Sequence, residues 1–412
     1  MFLARIVEEV VHGDGARILA GLIRIARDFD AAEDALQEAY ARALVAWRRD
    51  GIPDRPAAWL NTVSRRIALD RIRRDRTAAL PEDLEVIAPE ADEEDPSGIE
   101  DDRLRLLFTC CHPALSPEAR CALALRTLGG LSTREIARAF VEPEATTAQR
   151  LVRAKKKIRE ARIPYEVPSR ENLPARVAAV LSVLYLIFNE GYASTDAPSL
   201  LRPDLVIEAI RLARLTMALL PEEAEAKGLL ALMLLTDARR AARLSADGEL
   251  VPLEEQDRAL WNRAQIEEGV NLLDGVLALR TPGPYQIQAA IAALHVQAQT
   301  PAQTDWAQIA ALYETLLRFT PTPIVELNAA IAMGMATSLE HALARIERIE
   351  ASGALARYYL LPAAKADLLR RLGRREQAAE SYRAALELAT NPIERRYLEQ
   401  RALGPSGTTS VG

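Results

Sequence analysis

Residues 15–47, GARILAGLIRIARDFDAAEDALQEAYARALVAW, decide the fold class of the N-terminal part of the chain. Their apolar residues recur at intervals of three and four, the spacing that places side chains on one face of an α-helix. The pattern predicts two amphipathic helices with a break near Asp30. The recurring residues are Ile18, Leu22, Ile25 and Phe29, and then Leu36, Tyr40, Ala43 and Trp47.

A third helix with a strong positive charge is predicted next. Residues 51–56, GIPDRP, contain the glycine and prolines of a loop. The helix follows from Ala57 to about Arg74. Residues 60–76 hold six arginines against two aspartates. We predict one helical domain over residues 1–76.

The charge then reverses. Residues 77–102 hold eleven acidic residues and no basic residue, and three prolines interrupt them. This stretch lacks a helical apolar stripe, which is typical of a solvated linker. We predict an acidic linker over residues 77–100.

Residues 101–165 are predicted to form a compact set of short helices. Within them, residues 132–135, STRE, match a helix-capping box. This box opens a predicted helix over Thr133–Phe140, and a longer basic helix follows from about Thr146 to Arg162. The small residue Ala137 stands where the two helices would cross, so the spacing predicts a helix-turn-helix.

The remaining chain, residues 170–404, is predicted to be helix after helix, divided by prolines. Residues 368–378, LLRRLGRREQA, resemble the turn of a tetratricopeptide repeat, with Gly373 between two helices. The second helix of this repeat would be lined by Ala378, Tyr382 and Ala385. We predict an all-α helical-repeat domain here and a disordered tail over residues 405–412.

The sequence offers no pattern of catalytic or metal-binding residues. The four histidines are scattered, and phosphate-binding glycine loops are absent. The three cysteines are read as buried apolar residues of a reducing compartment. We therefore expect no enzyme activity, no metal and no cofactor. The cysteines are Cys110, Cys111 and Cys121, and the histidines are His12, His112, His295 and His341.

Nothing in the sequence indicates export or insertion into a membrane. The first fifteen residues, MFLARIVEEVVHGDG, carry acids within their apolar stretch and lack a cleavage pattern. No run of 18 or more apolar residues exists, so a membrane span is not expected. The predicted location is the cytoplasm.

Four segments resemble a known family. Residues 30–40, DAAEDALQEAY, and 59–70, WLNTVSRRIALD, resemble sigma region two. Residues 131–137, LSTREIA, and 145–151, ATTAQRL, resemble sigma region four. The motifs follow one another in the family's order, so the chain is identified as a member of the extracytoplasmic-function sigma factors over residues 1–163.

The C-terminal part looks like that of a subgroup with a tetratricopeptide-like domain, through residues 184–192, LYLIFNEGY. The resemblance implies a transcription initiation factor that binds core RNA polymerase and promoter DNA. It implies no enzyme activity of its own. The C-terminal domain would then regulate the factor, with an intramolecular or protein partner.

The resemblance also assigns site residues. The residues that would contact core polymerase are Glu33, Asp34, Gln37 and Glu38. The residues that would read the −10 element are Trp59, Asn61, Arg65, Arg66, Arg73 and Arg74. The residues that would contact the −35 element are Thr147, Gln149, Arg150, Arg153 and Lys155. The acidic linker would thread polymerase toward the RNA exit path.

Three residues depart from the family's pattern. Ala148 replaces a frequent Lys or Arg of the recognition helix, and Arg66 replaces a frequent Asn. Glu142 occupies a turn position that is usually apolar, which would loosen the helix pair.

Other interpretations of the same residues remain open. Trp59 is equally expected in the core, and the acidic and basic helices could be ordinary solvated faces. The linker could be a simple flexible tether. A different class of function is a one-component helix-turn-helix regulator whose repeat domain senses a ligand or partner. A third is a repeat scaffold tethered by its N-terminal half.

Overall fold

The computed structural model describes residues 2–79, 97–140, 142–169, 171–192 and 201–403. Its regular secondary structure is helical throughout these residues, apart from one isolated bridge between Leu244 and Leu250. The prediction of an all-α fold is confirmed. The chain divides into two compact units, Met1–Ile187 and Phe188–Gly412. Most of the predicted linker and the whole of the predicted tail lie outside the described residues.

The first unit begins with three helices that pack against one another. The predicted break between the first two lies at Arg27 and Asp28. The side chain of Asp28 accepts a hydrogen bond from the backbone N–H of Ala31 at 2.9 Å, which caps the second helix. The helices are α1 (Phe2–Ala26), α2 (Phe29–Asp50) and α3 (Pro56–Ala79).

Four shorter helices follow, and an eighth runs across the division between the units. Ser116 caps α5 through Ala119 N–H, and Ser132 and Glu135 form the predicted capping box before α6. The helices are α4 (Ser97–Cys110), α5 (Pro117–Thr127), α6 (Thr133–Ala139), α7 (Glu144–Glu160) and α8 (Leu173–Tyr192). The three cysteines are free and buried, as expected.

A buried carboxylate joins the two halves of the first unit. Asp102 on α4 is 3% exposed, and its side chain forms ion pairs with Arg24 of α1 at 2.9 Å and Arg105 at 2.6 Å. The hydroxyl of Tyr165 lies within hydrogen-bonding distance of two carbonyl oxygens, those of Ala20 (2.9 Å) and Asp102 (3.0 Å). Helix α4 is therefore held against α1 by polar contacts as well as by apolar packing.

The second unit consists of consecutive helices, most of which pack against the next helix in sequence. Close approach of two helices requires Gly334, because a Cβ there would lie 2.7 Å from the Cβ of Ala342. The helices are α9 (Pro203–Leu219), α10 (Ala224–Asp237), α11 (Arg263–Leu277), α12 (Pro284–Gln297), α13 (Trp306–Phe319), α14 (Pro323–Ala336), α15 (Leu339–Ala351), α16 (Leu360–Arg371), α17 (Arg375–Leu388) and α18 (Pro392–Leu403).

The predicted helical hairpin around Gly373 is present. This glycine has φ +76°, a left-handed conformation that suits the turn between α16 and α17. Ala378, Tyr382 and Ala385 are buried in one apolar cluster, as their spacing predicted.

A long connector, residues 238–262, separates α10 from α11. It contains three-residue 3₁₀ turns instead of a full helix. Three of its acidic residues pair with arginines of α16 and α18. The pairs are Glu249 with Arg396, Glu254 with Arg371 and Glu255 with Arg401.

Helix α8 is long and apolar enough to cross a membrane, by length and composition, with a mean hydropathy of 1.4 over its best 18 residues. The search of the sequence for an uninterrupted apolar run missed this helix, because Arg176 and Glu190 lie within it. Its residues Val180, Leu184 and Ile187 are completely buried. The core helix of a folded domain has the same properties, so this helix is weak evidence for a membrane span.

The Asp102 contacts predict a stability effect. We expect Asp102→Ala to lower the free energy of opening of α1 and α4 by roughly 2–3 kcal/mol, because two charge-assisted interactions are lost. The cost stays below that of a fully buried ion pair, since Arg24 and Arg105 remain partly exposed. Native-state hydrogen exchange of α1 and α4 amides measures this opening.

The matched control is Asp50→Ala, which removes an exposed ion pair with Arg49 and should leave exchange in α1 and α4 close to wild type. Equal exchange in the two variants would contradict the structural role of Asp102.

Candidate functional site

The acidic residues predicted to bind a partner lie on α2. Asp34 and Gln37 are exposed, while Glu33 and Glu38 are half-buried. Val45 has 72% of its surface exposed and follows Asp34 and Glu38 at helical spacing, so it extends the same face with an apolar side chain. We call Asp34, Gln37, Glu38 and Val45 the α2 face.

One arginine of α3 and one of α2 form ion pairs with carboxylates of this face. Arg71 of α3 forms ion pairs with Glu38 at 2.8 Å and with Asp34 at 3.6 Å. Arg42 pairs with Glu38 from the next turn of α2. Desolvation acts to raise the pKa of Glu38, but the hydrogen bonds from Arg71 and Arg42 outweigh it and lower that pKa. Glu38 therefore keeps its negative charge.

Helix α3 presents a basic surface. Arg66, Arg73 and Arg74 are exposed, while Asn61 and Arg65 are half-buried. Trp59 is also half-buried, and its ring meets that of buried Trp47 edge-on, with centroids 5.5 Å apart. Trp59 thus belongs to the edge of the core and is only partly buried, so the prediction that it reads the −10 element stays a prediction.

Helices α6 and α7 form the predicted helix-turn-helix pair. They pack against each other, and Ala137 is buried at 2% exposure. Glu142 accepts hydrogen bonds from the Thr147 hydroxyl and from both terminal nitrogens of Arg150. The expectation that Glu142 loosens this pair is wrong, because its carboxylate fastens the turn to the first turns of α7.

The residues of α7 differ in their access to a ligand. Gln149 and Arg153 are exposed, and an Nη2 hydrogen of Arg153 bonds the Gln149 side-chain oxygen at 3.1 Å. Val152 lies beside them with 65% of its surface exposed, a residue that the charge pattern did not single out. Arg150 is half-buried against Glu142, and Thr147 is completely buried. Gln149, Val152 and Arg153 are therefore the accessible set.

Two basic residues farther along α7 form ion pairs with acidic residues at the start of α2. The Nζ of Lys155 is 2.8 Å from an oxygen of Glu33 and 3.1 Å from one of Asp30. Arg159 pairs with Asp28 at 3.1 Å and Asp30 at 3.8 Å. Lys155 and Glu33, which the sequence assigned to two different partners, thus neutralise each other in this structure.

The Lys155 side chain is only 13% exposed. Desolvation acts to lower the pKa of Lys155, but the charges and hydrogen bonds of Glu33 and Asp30 outweigh it and raise that pKa. The expectation that Lys155 is available to DNA does not hold for this arrangement. The sequence showed the opposite charges of α2 and α7, but no local pattern connects residues 122 positions apart.

Three family models match the chain. The model for sigma-70 region 2 matches residues 15–77, and that for sigma-70 region 4 matches residues 105–158. A family of unknown function, DUF6596, matches residues 176–277. The first two matches cover α2, α3 and the helix-turn-helix pair.

Two kinds of relative were found. An uncharacterized protein of Rhizobium meliloti (strain 1021) is 45% identical over 390 residues, which cover 93% of this chain and 92% of that protein. A probable ECF RNA polymerase sigma factor, SigI, of Mycobacterium tuberculosis (strain H37Rv) is 30% identical over 161 residues. These cover 37% of this chain and 54% of SigI. No solved structure matches the chain.

The contact between α2 and α7 predicts a change in dynamics. We expect Lys155→Ala to speed amide hydrogen exchange in α7 by several-fold, because Glu33 and Asp30 lose their buried partner. Hydrogen exchange followed by mass spectrometry, peptide by peptide, measures this.

Lys156→Ala is the matched control, since Lys156 is 62% exposed and pairs only loosely with Glu160, at 3.5 Å. If both variants exchange at the wild-type rate, the Lys155 ion pairs do not hold the two helices together.

Proposed function

We propose that the chain is a sigma-70 family factor that binds core RNA polymerase and directs it to start transcription at a particular set of promoters, and the matches to sigma-70 regions 2 and 4 support this proposal. The polymerase carries out the bond-forming chemistry in this function. One observation carries the proposal: the α2 face, the basic surface of α3 and the exposed residues of α7 lie in the segments matched by regions 2 and 4. The finer assignment is the extracytoplasmic-function group, supported by the likeness to SigI.

The α2 face is the proposed contact with core polymerase. Its carboxylates at positions 34 and 38 suit a basic surface on the partner, and such charge complementarity favours fast, oriented association. Val45 adds apolar area that becomes buried on binding. The predicted polymerase-binding residues Asp34, Gln37 and Glu38 remain in this proposal, with Glu33 joining them once Lys155 leaves.

Helix α3 is the proposed reader of the −10 element. Opening a promoter requires that single-stranded DNA be held by stacking on aromatic rings and by neutralised phosphates. Trp59 offers a partly exposed ring, and Asn61 offers hydrogen bonds. The phosphate-neutralising residues proposed here are Arg65, Arg66, Arg73 and Arg74.

Helix α7 is the proposed reader of the −35 element. Gln149 and Arg153 carry donors suited to base edges in the major groove, and Val152 suits the methyl group of thymine. Arg150, held by Glu142, would act by ordering the start of the helix and by contacting a phosphate from there.

The observed contact between α7 and α2 implies a closed state of the first unit. Lys155 cannot contact a phosphate while it pairs with Glu33, and Glu33 cannot contact polymerase while it pairs with Lys155. We infer that binding to polymerase separates the two helices. The energy needed for the separation would make the free protein a weaker DNA binder than the complex.

The second unit is proposed to regulate the first, as a helical-repeat domain of the tetratricopeptide-like type. The hairpin around Gly373 and its buried small residues support the repeat assignment. The rhizobial relative shares nearly the whole chain, which indicates that the two units occur together in that protein as well.

Run-off transcription with purified core polymerase on a promoter library tests the function. We expect the full chain to produce defined transcripts that polymerase without it does not make. Asp34→Arg should weaken capture of core polymerase at least about tenfold, because it reverses an exposed charge of the α2 face.

Asp247→Arg, an exposed charge reversal in the second unit, is the matched control and should bind polymerase as the wild type does. Specific DNA binding without any association with polymerase would overturn the proposal in favour of a one-component regulator. A chain ending at Tyr192, compared in the same assay, shows whether the second unit raises or lowers activity.

The exposure of Arg153 predicts a loss of sequence discrimination. We expect Arg153→Ala to cost about 1–3 kcal/mol on the preferred −35 sequence and less on others, since a base-edge contact is lost. Arg150→Ala should weaken binding to all sequences to a similar degree. Promoter-binding measurements in the polymerase complex, at fixed salt concentration, separate the two patterns. A uniform loss for Arg153→Ala would make Arg153 a phosphate contact.

A further inference from the structure

The connector between α10 and α11 is the most unusual segment of the second unit. It spans 25 residues, 238–262, where most helix-to-helix connections are much shorter. Long ordered connectors without a full helix of their own are commonly functional. The connector folds back on α10, because Asn262 N–H donates to the Ala238 carbonyl at 2.9 Å. This contact brings Arg239 and Trp261, the residues next to that pair, into the same neighbourhood.

Two buried donors in this neighbourhood lack an acceptor. The Nε of Arg239 and the indole Nε1 of Trp261 are inaccessible to solvent, and neither has a hydrogen-bond partner among the described residues. Trp261 itself is 3% exposed. A buried N–H group without an acceptor is costly, so such groups commonly mark a site for an acceptor that the protein itself does not supply.

The charge around these donors is also uncompensated. Arg258 of the connector lies with its guanidinium 4.6 Å from the centre of the Trp261 ring, and its Nε donates to the Ala298 carbonyl. In the described part of the chain, neither Arg239 nor Arg258 forms an ion pair. Desolvation lowers the pKa of Arg258, and the charges of Arg239 and Arg263 lower it further. Three like charges are therefore near one another.

His295, near the end of α12, lies close enough to Arg239 and Arg258 to be affected by their charges. Its ring meets Trp306 of α13 edge-on, with centroids 5.2 Å apart. Burial, together with the positive charges of Arg239 and Arg258, lowers the pKa of His295 to about 4, so the imidazole is neutral at physiological pH. A neutral imidazole can donate one further hydrogen bond without adding to the repulsion.

We propose that Arg239, Arg258 and Trp261 form a binding site for a small oxyanion, a carboxylate or a phosphate group. Guanidinium groups bind both kinds of oxyanion through paired N–H donors. The anion would accept from Arg239 and from the Trp261 indole, and it would remove the repulsion between the two arginines. Such a ligand would give the second unit a chemical signal to respond to, whatever the role of the first unit.

Isothermal titration calorimetry of the full chain tests this site, with sodium phosphate and sodium succinate as probes and sodium chloride at equal ionic strength as the blank. We expect saturable binding of at least one oxyanion. Arg239→Gln and Arg258→Lys should each weaken it by roughly tenfold or more, because a charge-assisted contact is lost or misplaced. Arg318→Gln is the matched control, an exposed arginine on α13 that should bind as the wild type does.

The two probes distinguish the sources of the anion: binding of phosphate alone indicates a phosphorylated ligand, and binding of succinate alone a carboxylate. A second measurement does not depend on the folding of any variant. NMR titration of the wild type should show the pKa of His295 rising when the anion binds, since the charges of Arg239 and Arg258 are then neutralised. No saturable binding of either probe, or equal binding by the Arg239 variant and the wild type, would overturn the proposal.

Discussion

A largely buried lysine keeps its charge when carboxylates lie beside it, and this constraint applies to Lys155, whose side chain is 13% exposed. Lys155 satisfies it with Glu33 and Asp30, and these ion pairs join α7 to α2. Gln149, Val152 and Arg153 remain exposed on α7, and Asp34 and Gln37 remain exposed on α2. This ion-pair cluster therefore occupies Lys155 and Glu33, while packing on α5 and α6 covers the apolar side of α7.

The sequence predicted the elements of this unit better than their contacts. Apolar spacing located α1 and α2, and capping chemistry located the start of α6. These signals are local, because a helix and its cap are defined within a few residues. Asp102, Tyr165 and the partner of Lys155 were not predicted, since their partners lie 63 to 145 positions away. Periodicity indicates which face of a helix is buried and says nothing about the helix that buries it.

In the candidate site, too, local features were predicted and long-range contacts were not. Charge clustering placed basic residues on α3 and α7 and acidic residues on α2, but it could not separate accessible from occupied side chains. Thr147 and Lys155 belong to the predicted set and are covered, whereas Val45 and Val152 are exposed and were not predicted because charge was the signal used. In the second unit, the sequence did not connect His295 with Arg239 and Arg258, because these arginines belong to a connector far from it along the chain.

The burial of the cysteines has a practical consequence. Cys110, Cys111 and Cys121 are each less than 5% exposed, and desolvation raises the pKa of the Cys110 thiol to about 12. Thiolates, not thiols, react with maleimides and iodoacetamides, so the folded chain offers these reagents almost no target. A cysteine introduced at a surface position can thus carry a fluorophore or spin label without replacement of the native three, and late modification of those three reports unfolding of the core around α5.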